Sequence, residues 1–230
     1  MEIIKKPLTN GQYLTTEYVK DSIFWHHTAG PTAEGAWRWW NETPERVGTP
    51  YIIDRNGVTI EAFDPKMWAF HLGIIGDDNY FEKHSVNIEL VSCGRLYYQS
   101  GQFIFYPLYP NTMYPRVIPE SEVYEFKKPW RGHSFYHKYS DEQVLAAKDL
   151  LGHILDTFPT IKIEPIKDFY EYNPKVITDH IPGMWAHSTV RPDKDDIFPY
   201  PPLLKAFDEV ITSRNIPASL PKSPPKSSKK

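Results

Sequence analysis

The chain has 230 residues, of which 40% are hydrophobic and 24% are charged, the composition of a globular protein rather than of a disordered chain. Its formal net charge is −3, so no basic excess indicates a nucleic-acid partner. The N-terminal residues lack the apolar stretch of a secretory signal, and no later segment approaches the ~20 apolar residues of a transmembrane helix. We therefore expect synthesis in the cytoplasm. Cys93 is the single cysteine, which excludes an intrachain disulfide.

Three patterns in the first hundred residues predict two strands and a helix. Residues 23–27 (IFWHH) are apolar until they end in two histidines, which predicts a buried strand. Thr32 is suited to cap a short helix that reaches about Asn41. Residues 85–91 (SVNIELV) alternate between apolar and polar side chains, which predicts another strand.

The clearest and the least clear local patterns lie close together in the chain. In residues 51–63, two β-rich runs flank Asn56 and Gly57, which predicts a hairpin with a type I′ turn. Residues 96–138 hold many Tyr, Phe and Pro residues but show no sustained period. We expect irregular strands and loops there, as an aromatic-rich insertion over one face of the protein.

Regular structure is predicted again after residue 139. Ser140 and Gln143 match a capping box at the start of a helix. One face of this helix is apolar, at Val144, Ala147, Leu151, Ile154 and Leu155. A strand is predicted near 175–179 (KVITD) and a last helix near 201–213.

Strands that alternate with helices over this length predict an α/β fold, with a mixed central β-sheet flanked by helices. We expect one domain over residues 1–213, with residues 96–138 inserted in it. Residues 214–230 are rich in Pro, Ser and Lys, which predicts a disordered tail.

Five side chains carry the chemistry that the sequence offers. His26 ends the first buried strand, where a side chain can emerge into a cleft while its backbone is fixed. His187, Lys194 and Asp196 lie in a segment too rich in Pro and charge to be core. Glu89 lies between two apolar strand residues and should face away from them, where a carboxylate needs a partner or a function.

The order of several short segments resembles one known family. The segments are IFWHHTAG, RVGTPYIIDRNG, WAFHLG, SVNIELVSCG and HSTVRPDKDD. They are similar, in this order, to the amidase-2 family, which includes N-acetylmuramoyl-L-alanine amidases, phage lysozyme-type amidases and peptidoglycan recognition proteins. The resemblance covers about residues 20–95 and 140–210, and it implies the fold of that family.

The resemblance implies a catalytic Zn²⁺ ion held by His26, His187 and Asp196. Two nitrogens and one oxygen leave the fourth tetrahedral position to water, as catalytic rather than structural zinc sites do. Competing residues remain open at this stage: His180 for the second ligand, and Asp193 or Asp195 for the third.

The resemblance also implies roles in catalysis and binding. Glu89 corresponds to the family's proton-transferring glutamate, and Lys194 to the lysine that stabilises the oxyanion. Substrate contacts are implied at His71, Trp68 and Asn79, and a supporting or packing role at His27.

These features predict an amidase that hydrolyses the bond between the muramic acid lactyl group and L-alanine in peptidoglycan or muropeptides. The alternative is a peptidoglycan-binding recognition module without catalysis. A phage endolysin would act on the cell wall, whereas an enzyme of wall recycling would stay in the cytoplasm. We expect a monomer.

Overall fold

The computed structural model describes residues 2–9, 11–74, 78–107, 114–164 and 169–215. A central sheet in these ranges consists of β1 (Ile3–Lys5), β2 (Ser22–His27), β3 (Tyr51–Ile53), β4 (Thr59–Glu61), β5 (Ser85–Leu90) and β11 (Gly183–Ala186). Its strand order is β1-β4-β3-β5-β2-β11, and neighbours are parallel except in the β3–β4 hairpin. The sheet is therefore mixed, as predicted.

Helices cover both faces of the central sheet. They are α1 (Ala33–Glu42), α2 (Tyr80–His84), α3 (Asp141–Thr157), α4 (Lys175–Thr178), α5 (His187–Val190) and α6 (Pro201–Asn215). The main hydrophobic core lies between the sheet and helices α3 and α6, while α1, α2, α4 and α5 contribute to two smaller clusters. None of the helices in the described ranges has the length and apolar character that a bilayer span requires.

The alternation of side chains along β2 and β5 positions two chemically active residues. Ile23 and Trp25 point into the main core, whereas Phe24 belongs to a cluster on the opposite face. His26 therefore shares the face of Phe24, because successive strand residues alternate. In the parallel β2–β5 pair, His26 is the direct partner of Glu89. The two side chains thus lie next to each other near the carboxyl ends of adjacent strands.

A second sheet is built from the segment predicted to be irregular. Its strands are β6 (Arg95–Gln99), β7 (Gln102–Phe105), β8 (Arg116–Ile118), β9 (Val123–Trp130) and β10 (His133–His137). They pair antiparallel in the order β8-β7-β6-β10-β9, so strands are present as expected, but they form a continuous sheet rather than isolated irregular strands. Tyr97 and Tyr98 point to opposite faces yet are 37% and 57% exposed, so no alternation in polarity marks the strand.

Several local predictions are confirmed, and one is confirmed with a different turn. Thr32 caps α1 by accepting a hydrogen bond from the Gly35 N–H, and the capping box precedes α3 as expected. The hairpin is present, but its turn is not type I′, since Gly57 has a positive φ of 81° and Asn56 does not. The Asn56 side chain instead accepts a hydrogen bond from the Val58 N–H.

The structure differs from two predictions near the C-terminus. Residues 175–179 were expected to form a strand, but Lys175–Thr178 is the helix α4, and the strand β11 follows at Gly183–Ala186. β-branched residues favoured a strand there, whereas Val176 is buried against Phe24 and Phe81 from a helical turn. Helix α6 extends to Asn215, two residues into the predicted tail; residues 216–230 lie outside the described ranges.

Candidate metal centre and active site

Three ligand-type side chains converge beside the end of β2. Strand β11 pairs parallel with β2, and His187 follows β11 directly, so its side chain comes close to His26. The Nδ1 atoms of the two histidines lie 3.1 Å apart. Asp196 Oδ2 lies 3.2 Å from His26 Nδ1 and 3.0 Å from His187 Nδ1. All three residues are buried.

The size and the donor atoms of this triangle fit a tetrahedral metal ion. Ligand atoms held at about 2.0–2.1 Å from one tetrahedral ion lie roughly 3.3–3.4 Å apart. The three observed sides of 3.0, 3.1 and 3.2 Å are close to that spacing. Two imidazole nitrogens and a carboxylate oxygen are a donor set of catalytic zinc sites. Among the described residues, no other group of His, Cys, Asp and Glu side chains meets in this way.

The protonation of the three groups suits metal binding. Burial lowers the pKa of His26 to about 4, so its imidazole is neutral at pH 7. Burial alone would raise the pKa of Asp196, but His187 and His26 hold it well below its usual range. His187 Nε2 donates a hydrogen bond to the Leu72 carbonyl at 3.1 Å, which leaves the lone pair on Nδ1. A neutral imidazole and an ionised carboxylate are the forms that bind metals.

Glu89 lies beside this triangle without a hydrogen bond at one carboxylate oxygen. Its Oε2 atom is buried and has no partner among the described residues. Burial raises the pKa of Glu89 well above its usual range, the negative charge of Asp196 adds to this effect, and Lys194 opposes it. A carboxylate in such a setting is suited to exchange protons rather than to stabilise the fold.

The loop before Asp196 separates the competing acidic residues. Asp193 is exposed and forms an ion pair with Arg191 at 2.7 Å. Asp195 lies 3.6 Å from Arg95. Neither belongs to the triangle of ligand atoms. Lys194, between them, is half-buried, and its charge affects the pKa of Glu89.

A comparison with protein families identifies the chain. The family model described as N-acetylmuramoyl-L-alanine amidase matches residues 17–197, which is most of the chain and includes the whole triangle. The chain belongs to the N-acetylmuramoyl-L-alanine amidase family. A comparison with curated proteins finds no match.

Solved structures with a similar fold include three proteins of low sequence identity. A mutant form of PlyL is 13% identical, with 93% of this chain and 99% of that chain covered and a TM-score of 0.53. The catalytic domain of PlyG is 15% identical, with 96% and 99% covered and a TM-score of 0.52. The Staphylococcus aureus hydrolase AmiA, in complex with its ligand, is 13% identical, with 93% and 85% covered and a TM-score of 0.53. At these identities the likeness establishes the fold.

In this amidase, two of the three residues predicted to contact substrate are buried. The His71 side chain is 2% exposed and lies between His26 and Glu82, behind the metal triangle. Trp68 is 8% exposed, with its ring edge against Phe70. Both therefore face the interior rather than an open cleft. Asn79 precedes α2 with a φ of 58° and is half-buried, and its contact with substrate stays a prediction.

The remaining histidines with predicted roles are clearly separated. The His27 side chain is buried, 3.3 Å from the Tyr139 hydroxyl, which agrees with a packing or supporting role. His180 is exposed and stacks on Tyr80 with 4.3 Å between ring centroids. His180 is therefore not part of the triangle, and of the two candidates for the second ligand position only His187 belongs to it.

Two charged residues that support the surroundings of the triangle, Glu82 and Arg131, were not predicted from the sequence. Glu82 accepts hydrogen bonds from the backbone N–H groups of His71 and Leu72, yet its sequence context suggests an ordinary helix carboxylate. Arg131, from the second sheet, donates to two carbonyls of the ligand loop. Their partners are backbone N–H and carbonyl groups, which every residue carries, so the sequence offers no pattern that would predict these contacts.

Proposed function

We propose that this family member is a zinc-dependent amidase that hydrolyses the amide between the muramic acid lactyl group and L-alanine. The observation that carries the proposal is the triangle of His26, His187 and Asp196 with Glu89 at its side. A family member that binds without cleaving has no need of a carboxylate with one buried, unpartnered oxygen next to three ligands. The complete set therefore favours catalysis over the recognition module.

Different residues would bind the metal ion, transfer protons and stabilise negative charge during amide hydrolysis. His26, His187 and Asp196 would hold zinc, which lowers the pKa of its bound water toward ~7 and polarises the scissile carbonyl. Glu89 accepts the proton of the attacking water and returns it to the leaving L-alanine nitrogen. Its place as the strand partner of His26, beside the triangle, supports both steps. Lys194 stabilises the negative charge that develops on the carbonyl oxygen.

The wider context is also a proposal. We place one domain at residues 1–213, with the 96–138 segment as part of it, because Tyr124, Phe126 and Tyr136 of the second sheet pack against the main core. A phage endolysin is one setting for this activity, and cytoplasmic wall recycling is the other. A monomer is expected in both, and sedimentation of the purified protein would test it.

Digestion of purified sacculi, with and without a chelator, tests the activity. Mass analysis should find new lactyl-sugar ends and free L-alanine amino termini, and zinc should restore them after chelation. Reducing sugar ends would instead indicate a glycosidase and would overturn the amidase proposal. Binding to sacculi without any release of fragments would support the recognition module.

A further inference from the structure

One dipeptide contacts both histidine ligands from the side away from the triangle. His71 Nδ1 lies 3.0 Å from His26 Nε2. The carbonyl of the next residue, Leu72, accepts a hydrogen bond from His187 Nε2 at 3.1 Å. The orientation of both imidazole ligands therefore depends on where this dipeptide is held.

Glu82 of α2 holds the dipeptide in place. Its side chain is 2% exposed. The carboxylate accepts hydrogen bonds from the backbone N–H groups of His71, at 2.8 Å, and of Leu72, at 3.2 Å. It also lies 3.1 Å from His71 Nε2. A buried carboxylate that accepts two backbone hydrogen bonds from one dipeptide and lies against its imidazole is a built arrangement rather than a solvated helix charge.

The groups around His71 determine which ring nitrogen carries the hydrogen in His71 and, through it, in His26. A neutral imidazole has one N–H group and one lone pair. His71 Nε2 faces two acceptors, Ser85 Oγ at 3.3 Å and Glu82 Oε2 at 3.1 Å. Because Ser85 donates its own hydrogen to the Phe81 carbonyl or to Asn87 Oδ1, the hydrogen of the neutral ring is on His71 Nε2. The lone pair of His71 therefore lies on Nδ1 and accepts from His26 Nε2–H. The lone pair of His26 is then on Nδ1, the atom that faces His187 and Asp196.

We propose that Glu82 and His71 are positioning residues that fix the tautomer and the orientation of His26 for metal binding. The inference rests on the proposed metal site and adds residues that the sequence assigned to substrate contact or left without a role. Groups that hydrogen-bond to metal-ligating histidines typically change metal affinity by about 10- to 100-fold when they are replaced. In Glu82→Gln one of the two acceptor oxygens becomes an NH2 group. In the place of Oε2 it would face His71 Nε2 and reverse the donor order, and in the place of Oε1 it would remove the shorter acceptor of the Leu72 N–H.

Zinc affinity of the full-length protein tests the proposal, by competition with a chromogenic chelator. We expect Glu82→Gln to weaken zinc binding about 10- to 100-fold, as such supporting groups do. Glu122→Gln is the matched control, because Glu122 Oε2 contacts His137 Nε2 at 3.0 Å, another buried imidazole outside the triangle. The control should keep its zinc affinity within about twofold, by the same reasoning.

Nitrogen-15 NMR of the imidazole rings provides a readout that loss of packing would not mimic. The metal-free wild-type protein should show Nε2–H tautomers at both His71 and His26, and Glu82→Gln should shift His26 toward the Nδ1–H form or toward a mixture of the two tautomers. An Nδ1–H tautomer at wild-type His71, or unchanged affinity with unchanged tautomers in Glu82→Gln, overturns the proposal. If the variant does not fold, the tautomer of His71 in the wild-type spectrum still tests the proposal. Failure of the wild type to bind zinc would instead defeat the proposed function itself.

Discussion

At the scale of single residues, Glu89 differs from the other buried carboxylates of the site. Glu82 accepts backbone hydrogen bonds and Asp196 Oδ2 lies within 3.2 Å of two histidine Nδ1 atoms, whereas Glu89 Oε2 has no partner among the described residues. A buried polar atom without a partner costs about 1–3 kcal/mol of folding free energy. Such a cost indicates that the carboxylate serves the reaction rather than the fold.

Replacement of this group should separate catalysis from metal binding. We expect Glu89→Gln to lower kcat by about 10²- to 10⁴-fold, the usual contribution of general acid–base catalysis, while zinc content stays at wild-type level. Amide release from a soluble muropeptide and metal analysis of the same sample measure both. Asp193→Asn is the control: the exposed carboxylate lies outside the triangle, so its loss should change neither quantity. Near-normal turnover of Glu89→Gln would remove this residue from the mechanism.

A second residue-scale feature is the buried lysine Lys20. It is 1% exposed, and its Nζ donates to the carbonyls of Met67, at 2.9 Å, and Lys83, at 2.7 Å. Burial lowers the pKa of Lys20 to about 7, while nearby carboxylates oppose the shift. The folded protein therefore releases this proton at a lower pH than the unfolded chain does.

The lowered pKa predicts a rise in stability with pH. Between pH 7 and the unfolded pKa of 10.5, the unfolded state binds more protons at this site, so the free energy of unfolding increases with pH. The slope from one group is at most about 1.4 kcal/mol per pH unit, and below pH 7 it vanishes. Urea unfolding of metal-free protein at pH 7, 8 and 9 should show this slope in wild type and in the exposed-site control Lys66→Met. A Lys20→Met variant with the same slope as the control would contradict the assignment.

At the scale of elements, Gln143 joins α3 to the central sheet. Its side chain is fully buried, and Nε2 donates to the carbonyls of Ile53, at 3.1 Å, and Val91, at 2.9 Å. Its Oε1 accepts from the Ser140 N–H and completes the capping box. The helix start is therefore linked to the ends of β3 and β5, and β5 carries Glu89.

The two residues of the capping box should differ in their effect on stability. Ser140→Ala should lower the free energy of unfolding by about 1 kcal/mol, as N-cap replacements do. Gln143→Ala should lower it by about 2–4 kcal/mol, because it leaves two buried carbonyls without donors. Glu142→Ala, exposed in the same turn, should stay within about 0.5 kcal/mol of wild type. Equal losses at positions 140 and 143 would show that Gln143 acts only as a cap.

At the scale of the whole molecule, the second sheet supports the loop that carries the proposed metal ligands His187 and Asp196. Arg131, after β9, donates to the carbonyls of Ser188 and Pro192, both at 2.8 Å. Arg95, on β6, lies 3.6 Å from Asp195, next to the ligand Asp196. The inserted sheet therefore contacts the ligand loop at three points between His187 and Asp196.

Loss of this contact should loosen the metal site without unfolding the protein. We expect Arg131→Ala to weaken zinc binding by about tenfold, as a change in supporting contacts does. Arg116→Ala removes an exposed arginine from the same sheet and should leave zinc affinity unchanged. Chelator competition measures both affinities, and thermal unfolding of the metal-free proteins checks the fold. Wild-type affinity in Arg131→Ala would mean that the sheet does not support the site.

Local patterns in the sequence were sufficient for the elements that depend on neighbouring residues. The apolar run that ends at His26, the alternation around Glu89 and the capping box at Ser140 all act over a few residues, and each appears in the structure as predicted. The strand predicted near residues 175–179 was wrong. The β-branched side chains there favour a strand, but tertiary contacts of Val176 stabilise a helix.

The tertiary structure decided what meets at the site. His26 and Asp196 are 170 residues apart, and the parallel pairing of β5, β2 and β11 brings the ligands within 3.2 Å. His71 was expected to line a substrate cleft, but its side chain is buried behind His26. By itself the sequence determined which residue types are present and how each strand presents them. Hydrogen bonds to backbone carbonyls, desolvation and strand order depend on distant parts of the chain, so only the folded molecule specifies them.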